Sequence, residues 1–231
     1  MLGIVPASFV DYPGKICATV FFPGCNLRCP FCHNPSLVFG HAPCDATLSD
    51  VLALLDKRKP MLDAVCLSGG EPLLHVPVLL ELLPLIKEKG FLVKLDTNGC
   101  FPEALTSLLD SGWLDYVAMD IKSSPAQYAR AGGIASIEMD NINASIHAIM
   151  HSPVDYEFRT TVVPEFFTDA DAEAIGKWIK GAKRYVLQPF SRRSPMVDPE
   201  FQSKPAYPPD QLVKFKKIIE EDLEHVEIRG A

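Results

Sequence analysis

Six short runs rich in β-branched and aromatic residues, at 16–22, 64–68, 92–96, 116–120, 157–163 and 184–188, are separated by stretches with helical spacing of apolar residues. Strand-and-helix alternation of this kind confines the chain to βα units around a mostly parallel sheet. Helices are expected at 49–57, 77–89, 103–111, 137–150, 169–180 and 210–223. Asp169 and Asp210 stand where acidic caps belong, and Gly90 and Gly112 follow final turns. Six strands make a partial barrel, so the expected fold is α/β, a partial (β/α)6 TIM-like barrel. A chain of 231 residues suits one such domain over 1–231. The proline-rich stretch 194–209 reads as a tether from the sixth strand to the last helix, not as a domain boundary.

Polar motifs recur at the carboxyl ends of these strands, the rim where barrels build their sites. A cysteine loop follows the first strand, Ser68-Gly69-Gly70-Glu71-Pro72 ends the second, Asp96-Thr97-Asn98-Gly99 the third and Asp120-Ile121-Lys122 the fourth, while Arg159 and Gln188 lie on the fifth and sixth. Taken singly, the glycine and asparagine motifs also read as ordinary turns. Lys122, two residues beyond Asp120, shares its face of an extended segment. Arg159 lies between apolar flanks, and an inward charge of that kind needs a partner.

Of seven cysteines, Cys25, Cys29 and Cys32 stand together in Gly24-Cys25-Asn26-Leu27-Arg28-Cys29-Pro30-Phe31-Cys32-His33-Asn34-Pro35. This spacing puts three thiolates on one loop, able to hold three irons of a cubane cluster and leave the fourth iron open for chemistry. A tetrahedral zinc would need a fourth ligand, and His33 is poorly placed beside Cys32. Zinc, or three merely structural thiols, are the alternatives. Cys17, Cys44, Cys66 and Cys100 are scattered singly; Cys17 and Cys66 fall in apolar strand runs as small core residues. No auxiliary cluster is expected.

The formal net charge of -7 gives no footprint for nucleic acid or an anionic membrane, and Lys214, Lys216 and Lys217 read as the solvated side of the last helix. No segment approaches the roughly 18 apolar residues of a membrane span, and residues 1–10 lack the charged start of a signal peptide. A cytoplasmic protein with reduced thiols is expected.

The Cys-x-x-x-Cys-x-x-Cys loop resembles the signature of the radical S-adenosylmethionine (SAM) enzymes. Asp11-Tyr12-Pro13-Gly14, Val20-Phe21-Phe22-Pro23-Gly24-Cys25-Asn26 and Cys32-His33-Asn34-Pro35 are similar to the glycyl-radical activases. Among these, activators of anaerobic ribonucleoside-triphosphate reductase and of pyruvate formate-lyase are nearest. The resemblance implies a barrel of the radical SAM type and a 4Fe-4S cluster on Cys25, Cys29 and Cys32. It implies SAM contacts from Gly69, Gly70 and Glu71 near the methionine amino group, from Asn98, and from Asp120, Lys122 and Arg159 near the carboxylate or ribose. Phe31 and His33 would shape the adenine site, with Asn34 beside them. Asp96, Thr97 and Asp120 would hold a monovalent cation.

By the same resemblance, a flavodoxin-like or ferredoxin-like donor supplies the electron and hydrogen is taken from a glycine of a large partner enzyme. No general acid or base is needed. Loop 123–133 and the C-terminal segment would form the docking surface. One departure stands out: Val186-Leu187-Gln188-Pro189-Phe190 lacks the histidine that the formate-lyase activator carries near the Phe190 position, which favours the reductase activator. A small-molecule radical SAM enzyme of the carboxydeazaguanine synthase kind is the first rival. A non-catalytic iron–sulfur or zinc module is the second, and it would leave the rim motifs unexplained.

Overall fold

Alternate positions of the strands carry the bulk of the apolar side chains. Val20 and Phe22, Val65 and Leu67, Val93 and Leu95, Val117 and Met119, Phe158 and Val162, and Tyr185 and Leu187 enter one buried core together with the apolar stripes of the helices. The period of two turns this set to one face of a sheet. A computed structural model describes residues 1–42, 45–192 and 195–230. Its strands are β1 (Gly3–Ser8), β2 (Cys17–Phe22), β3 (Ala64–Gly69), β4 (Leu92–Thr97), β5 (Tyr116–Asp120), β6 (Asp155–Val162), β7 (Tyr185–Pro189) and β8 (Val226–Ile228).

The strands form one sheet in chain order. β1 runs antiparallel to β2 and every later neighbour is parallel. The ends of this order, β1 and β8, do not pair among the described residues, so the barrel is open along one side. The six expected strands are β2 to β7. β1 and β8 extend them, and both lack a strong signal: β1 is a half-exposed edge strand containing Pro6, and β8 has three residues.

The helices are α1 (Pro35–Val38), α2 (Leu48–Arg58), α3 (Val76–Glu88), α4 (Pro102–Asp110), α5 (Tyr128–Ala131), α6 (Met139–His151), α7 (Asp169–Trp178) and α8 (Pro209–Ile219), with 3-10 turns at Pro72–His75 and Pro199–Ser203. The six expected helices are all present, but two of their caps are not those anticipated. α7 is capped by Thr168, whose hydroxyl accepts from the Asp171 N–H while the Asp171 carboxylate accepts from the Thr168 N–H. Asp169 instead pairs with Lys214 at 2.5 Å. α8 begins after Pro208 without a side-chain cap, Asp210 lying in its first turn.

The proline-rich connection also does more than tether. The Val197 N–H bonds the Cys32 carbonyl at 3.1 Å and the Asp198 N–H the Pro30 carbonyl at 3.0 Å, while Met196 and Phe201 join an apolar cluster with Leu27, Cys29 and Phe31. The connection therefore straps the cysteine loop. Ser194 at its start, like Cys44, lies outside the described residues. Cys17 and Cys66 are fully buried as expected. None of the described helices is long and apolar enough to cross a membrane.

Candidate functional site

The cysteine loop leaves the carboxyl end of β2 and is held from four sides. Gly24 accepts from the Glu71 N–H at 2.9 Å, and its own N–H bonds the Leu37 carbonyl at 2.8 Å. Arg28 donates through its backbone N–H to Gly132 and through its guanidinium to the carbonyls of Cys25 and Leu27. The strap from 195–203 provides the third side. Asn98 provides the fourth, donating to the Asn26 side chain at 2.7 Å and approaching the Cys25 sulfur at 3.8 Å. The expected docking loop, 123–133, is thus partly consumed as a buttress of the cysteines. A side chain at Gly133 would place its Cβ 1.9 Å from the Arg28 carbonyl oxygen, at φ +65°.

A cavity of about 250 Å³ opens at this mouth, lined by Cys25, Cys29, Cys32, Phe31, His33 and Asn34 from the loop and by Gly69, Gly70, Glu71, Asp96, Thr97, Asn98, Asp120, Lys122 and Arg159 from the strand ends. The sequence motifs converge as expected. Ser68 and Thr161 line it too; Thr161 shares the inward face of β6 with Arg159 by alternation, the signal that would have found it. Gln188 does not reach this cavity. It lines a second one, of about 710 Å³, at the open side of the barrel.

Glu71 holds the floor of the site. It is wholly buried and its carboxylate accepts from the Leu73 N–H, the Thr97 hydroxyl and the Asn98 N–H at 3.1, 2.9 and 2.7 Å. Burial pushes its pKa up to about 7 despite these donors. Its oxygens are spent inside the protein, so Glu71 fixes the β3 and β4 loops to one another. The two glycines before it are required by the same packing: a Cβ at Gly70 would lie 1.8 Å from the Gly24 oxygen, and one at Gly69 2.4 Å from Phe22 backbone atoms. Close approach of protein to protein, more than of ligand to protein, explains them.

The charged rim forms a ladder. Lys94 pairs with Asp96, Asp96 also accepts from Ser68 at 2.9 Å and faces Arg159 at 3.6 Å, Arg159 bonds Asp120 at 2.9 and 3.0 Å, and Lys122 bonds the other Asp120 oxygen at 2.9 Å. Burial works against charge on Asp120, but Arg159 and Lys122 outweigh it and hold its pKa below the usual carboxylate range. The same contest, decided by Arg159 and Lys94, lowers Asp96. The residues expected to hold a cation, Asp96, Thr97 and Asp120, all have protein partners. Thr97 turns its hydroxyl to Glu71, and both carboxylates face protein cations. Lys94, 1% exposed and facing into the barrel, was not anticipated, because a lone lysine in a strand gives no motif.

The donor set fits an iron–sulfur cluster. The thiols of Cys25, Cys29 and Cys32 line one cavity. Three thiolates on one short loop are the donors a 4Fe-4S cluster takes. Burial raises the Cys25 thiol and pushes Cys29 up to about 12, so ionisation there waits on a bound metal. Cys100, solitary in sequence, packs in the same apolar cluster as Cys25 and Cys32 but does not line the cavity.

A family model described as the Radical SAM superfamily matches residues 19–179. A candidate glycyl-radical enzyme activating enzyme of Methanocaldococcus jannaschii is 34% identical over 98% of this chain and 94% of its own length. The pyruvate formate-lyase-activating enzyme of Clostridium pasteurianum is 38% identical over 49% of this chain and 48% of its own. The 7-carboxy-7-deazaguanine synthase of M. jannaschii is 32% identical over 48% of this chain and 49% of its own. The chain thus matches about half the length of these two enzymes. In structure it is similar to Streptococcus suis SuiB bound to SAM, with a TM-score of 0.69 at 13% identity over 92% of this chain and 52% of that one, a likeness of fold.

Proposed function

Because the chain belongs to the radical SAM superfamily, we propose that it activates a glycyl-radical enzyme by removing a hydrogen atom from the Cα of one glycine. The anaerobic ribonucleoside-triphosphate reductase is the intended partner. The observation that carries the reading is the convergence of three loop cysteines with Asp120, Lys122 and Arg159 on one cavity. The full-length similarity to the M. jannaschii activating enzyme supports the choice of substrate class. A 4Fe-4S cluster and SAM are the cofactors, and together, given one electron, they supply the 5′-deoxyadenosyl group that takes the hydrogen.

The protein's own part is to bind and to orient. Cys25, Cys29 and Cys32 would hold the cluster and leave one iron free of protein. Asp120, Arg159 and Lys122 present a fixed array in which Lys122 would meet the ligand's carboxylate. Asn98 and Glu71 lock the strand-end loops to the cysteine loop, and Phe31, buried beside Phe166, supplies an apolar wall. The unpaired side between β1 and β8 leaves room for a protein loop to approach. A flavodoxin-like or ferredoxin-like protein would deliver the electron, in the cytoplasm.

The test is anaerobic. The reconstituted protein, reductant and SAM are mixed with the reductase, and a doublet electron-spin signal that collapses when glycine is deuterated at Cα is expected, with deuterium in the 5′-deoxyadenosine. The half-length match to 7-carboxy-7-deazaguanine synthase keeps one rival: SAM cleavage with no protein radical, and hydrogen exchange on a small heterocycle, would favour it. Lys122→Ala should keep the cluster's absorbance and weaken SAM binding by roughly tenfold to a hundredfold, the weight of one charge-assisted contact.

A further inference from the structure

Lys94 takes no part in the cavity that holds the cysteines. It points inward from β4, contacts the Cys66 sulfur at 3.6 Å, and lines the second cavity with Arg159, Glu157, Arg184 and Gln188. Arg159 alone among the ladder residues faces both cavities. The ladder reads Lys94, Asp96, Arg159, Asp120, Lys122: three positive groups and two negative, alternating, with Lys122 at the cluster end. A ligand carboxylate at that end would complete the alternation.

We propose that Lys94 is a positioning residue for the SAM carboxylate, acting through Asp96 and Arg159. Arg159 sits between two carboxylates and favours Asp120, at 2.9–3.0 Å against 3.6 Å to Asp96. Lys94, with Ser68, satisfies Asp96 and so leaves the guanidinium to Asp120. Without the ammonium, Asp96 is a half-buried carboxylate short of a cation and draws Arg159 toward itself. Asp120 then depends on Lys122 alone, and the surplus positive charge at the mouth is gone. The net charge of the ladder falls from one to zero, so the loss falls on the ligand's carboxylate and not on its adenosine. Burial opposes the charge on Lys94, but Asp96 outweighs it and raises its pKa, so the ammonium stays ionised.

The inference rests on the cavity being the SAM site, and the two can fail separately. Cluster-loaded wild type, Lys94→Met, Lys94→Gln and Lys94→Arg are compared by equilibrium dialysis against SAM and against decarboxylated SAM, which lacks only the carboxylate. The expected result is that Lys94→Met binds SAM about tenfold more weakly while its affinity for the decarboxylated compound stays within about twofold, with Lys94→Arg restoring the preference. If Lys94→Met does not take up iron, Lys94→Gln, which keeps a donor to Asp96 without charge, reads the same difference. Equal weakening toward both compounds, or no weakening toward either, overturns the proposal. Wild type that binds neither compound overturns the assignment of the cavity itself.

Discussion

The two faces of the sheet between β2 and β7 are built on opposite terms. Toward the helices each strand presents large aliphatic and aromatic groups that are fully buried, Leu67, Leu95, Val117 and Phe158 among them. Toward the barrel interior the same strands present Cys66 and Ser68, Lys94 and Asp96, Asp120, and Glu157 and Arg159. Barrels of this general kind more often fill that space with branched apolar side chains. Here the interior polar groups answer one another instead: fully buried Glu157 receives two Arg229 bonds at 2.8 Å from just beyond β8, and among the described residues no buried side-chain nitrogen or oxygen lacks a partner. Burying a charge is tolerated only when it is paired, and removal of one partner is heavily penalised. The outer face therefore holds the fold together, and the inner face holds a charge pattern in place.

The sharpest test of that division is at the cysteine loop. Cys29→Ala should abolish the brown chromophore, iron content and SAM cleavage, whereas Cys17→Ala on the inner face away from the loop should keep all three. Gly70→Ala comes next. Its Cβ would fall on the Gly24 carbonyl, so the loop and β3 cannot both keep their places; a loss of a few kcal/mol in urea unfolding and poor cluster uptake are expected together. On the outer face, Leu95→Ala should lower stability by about 2–5 kcal/mol while the folded, cluster-loaded protein binds SAM as the wild type does. A change in affinity there would break the comparison.

Smaller effects sharpen it. Asp96 and Asp120 have pKa values below the unfolded carboxylate range, near pH 4. Their contribution to stability is complete above about pH 4 and is lost as pH falls through the lowered folded-state values. In Lys94→Met, Asp96 keeps one cation instead of two, its pKa is less depressed, and acid unfolding followed by circular dichroism should begin at higher pH. Ser68→Ala, which removes one hydrogen bond to Asp96, should reduce stability by only about 1 kcal/mol and leave the cluster intact.

The outer face was legible because its signal is a period. Alternating β-branched and aromatic residues marked β2 to β7, and the cysteine spacing marked the loop, since both are written in neighbouring residues. β1 was missed because Pro6 and its half-exposed pattern resemble a loop, and β8 because three residues carry no period. The strap at 195–203 showed only its prolines, and its bonds to Pro30 and Cys32 join residues far apart in the chain.

At the site, residue identity and residue role came apart. The chain alone determined that three thiols share a loop and that acidic, amide and basic groups end successive strands. It did not determine that Glu71 spends its oxygens on Thr97 and Asn98, that Asn98 bonds Asn26, or that Asp96 faces Lys94 and Arg159. Strand order and register decided those pairings, bringing Cys66 level with Lys94 and Asp120 level with Arg159. The physical reason is that spacing along a chain reports only which face a side chain takes. Which opposite charge it meets depends on distances of a few ångströms between strands tens of residues apart, and those distances exist only once the sheet has formed.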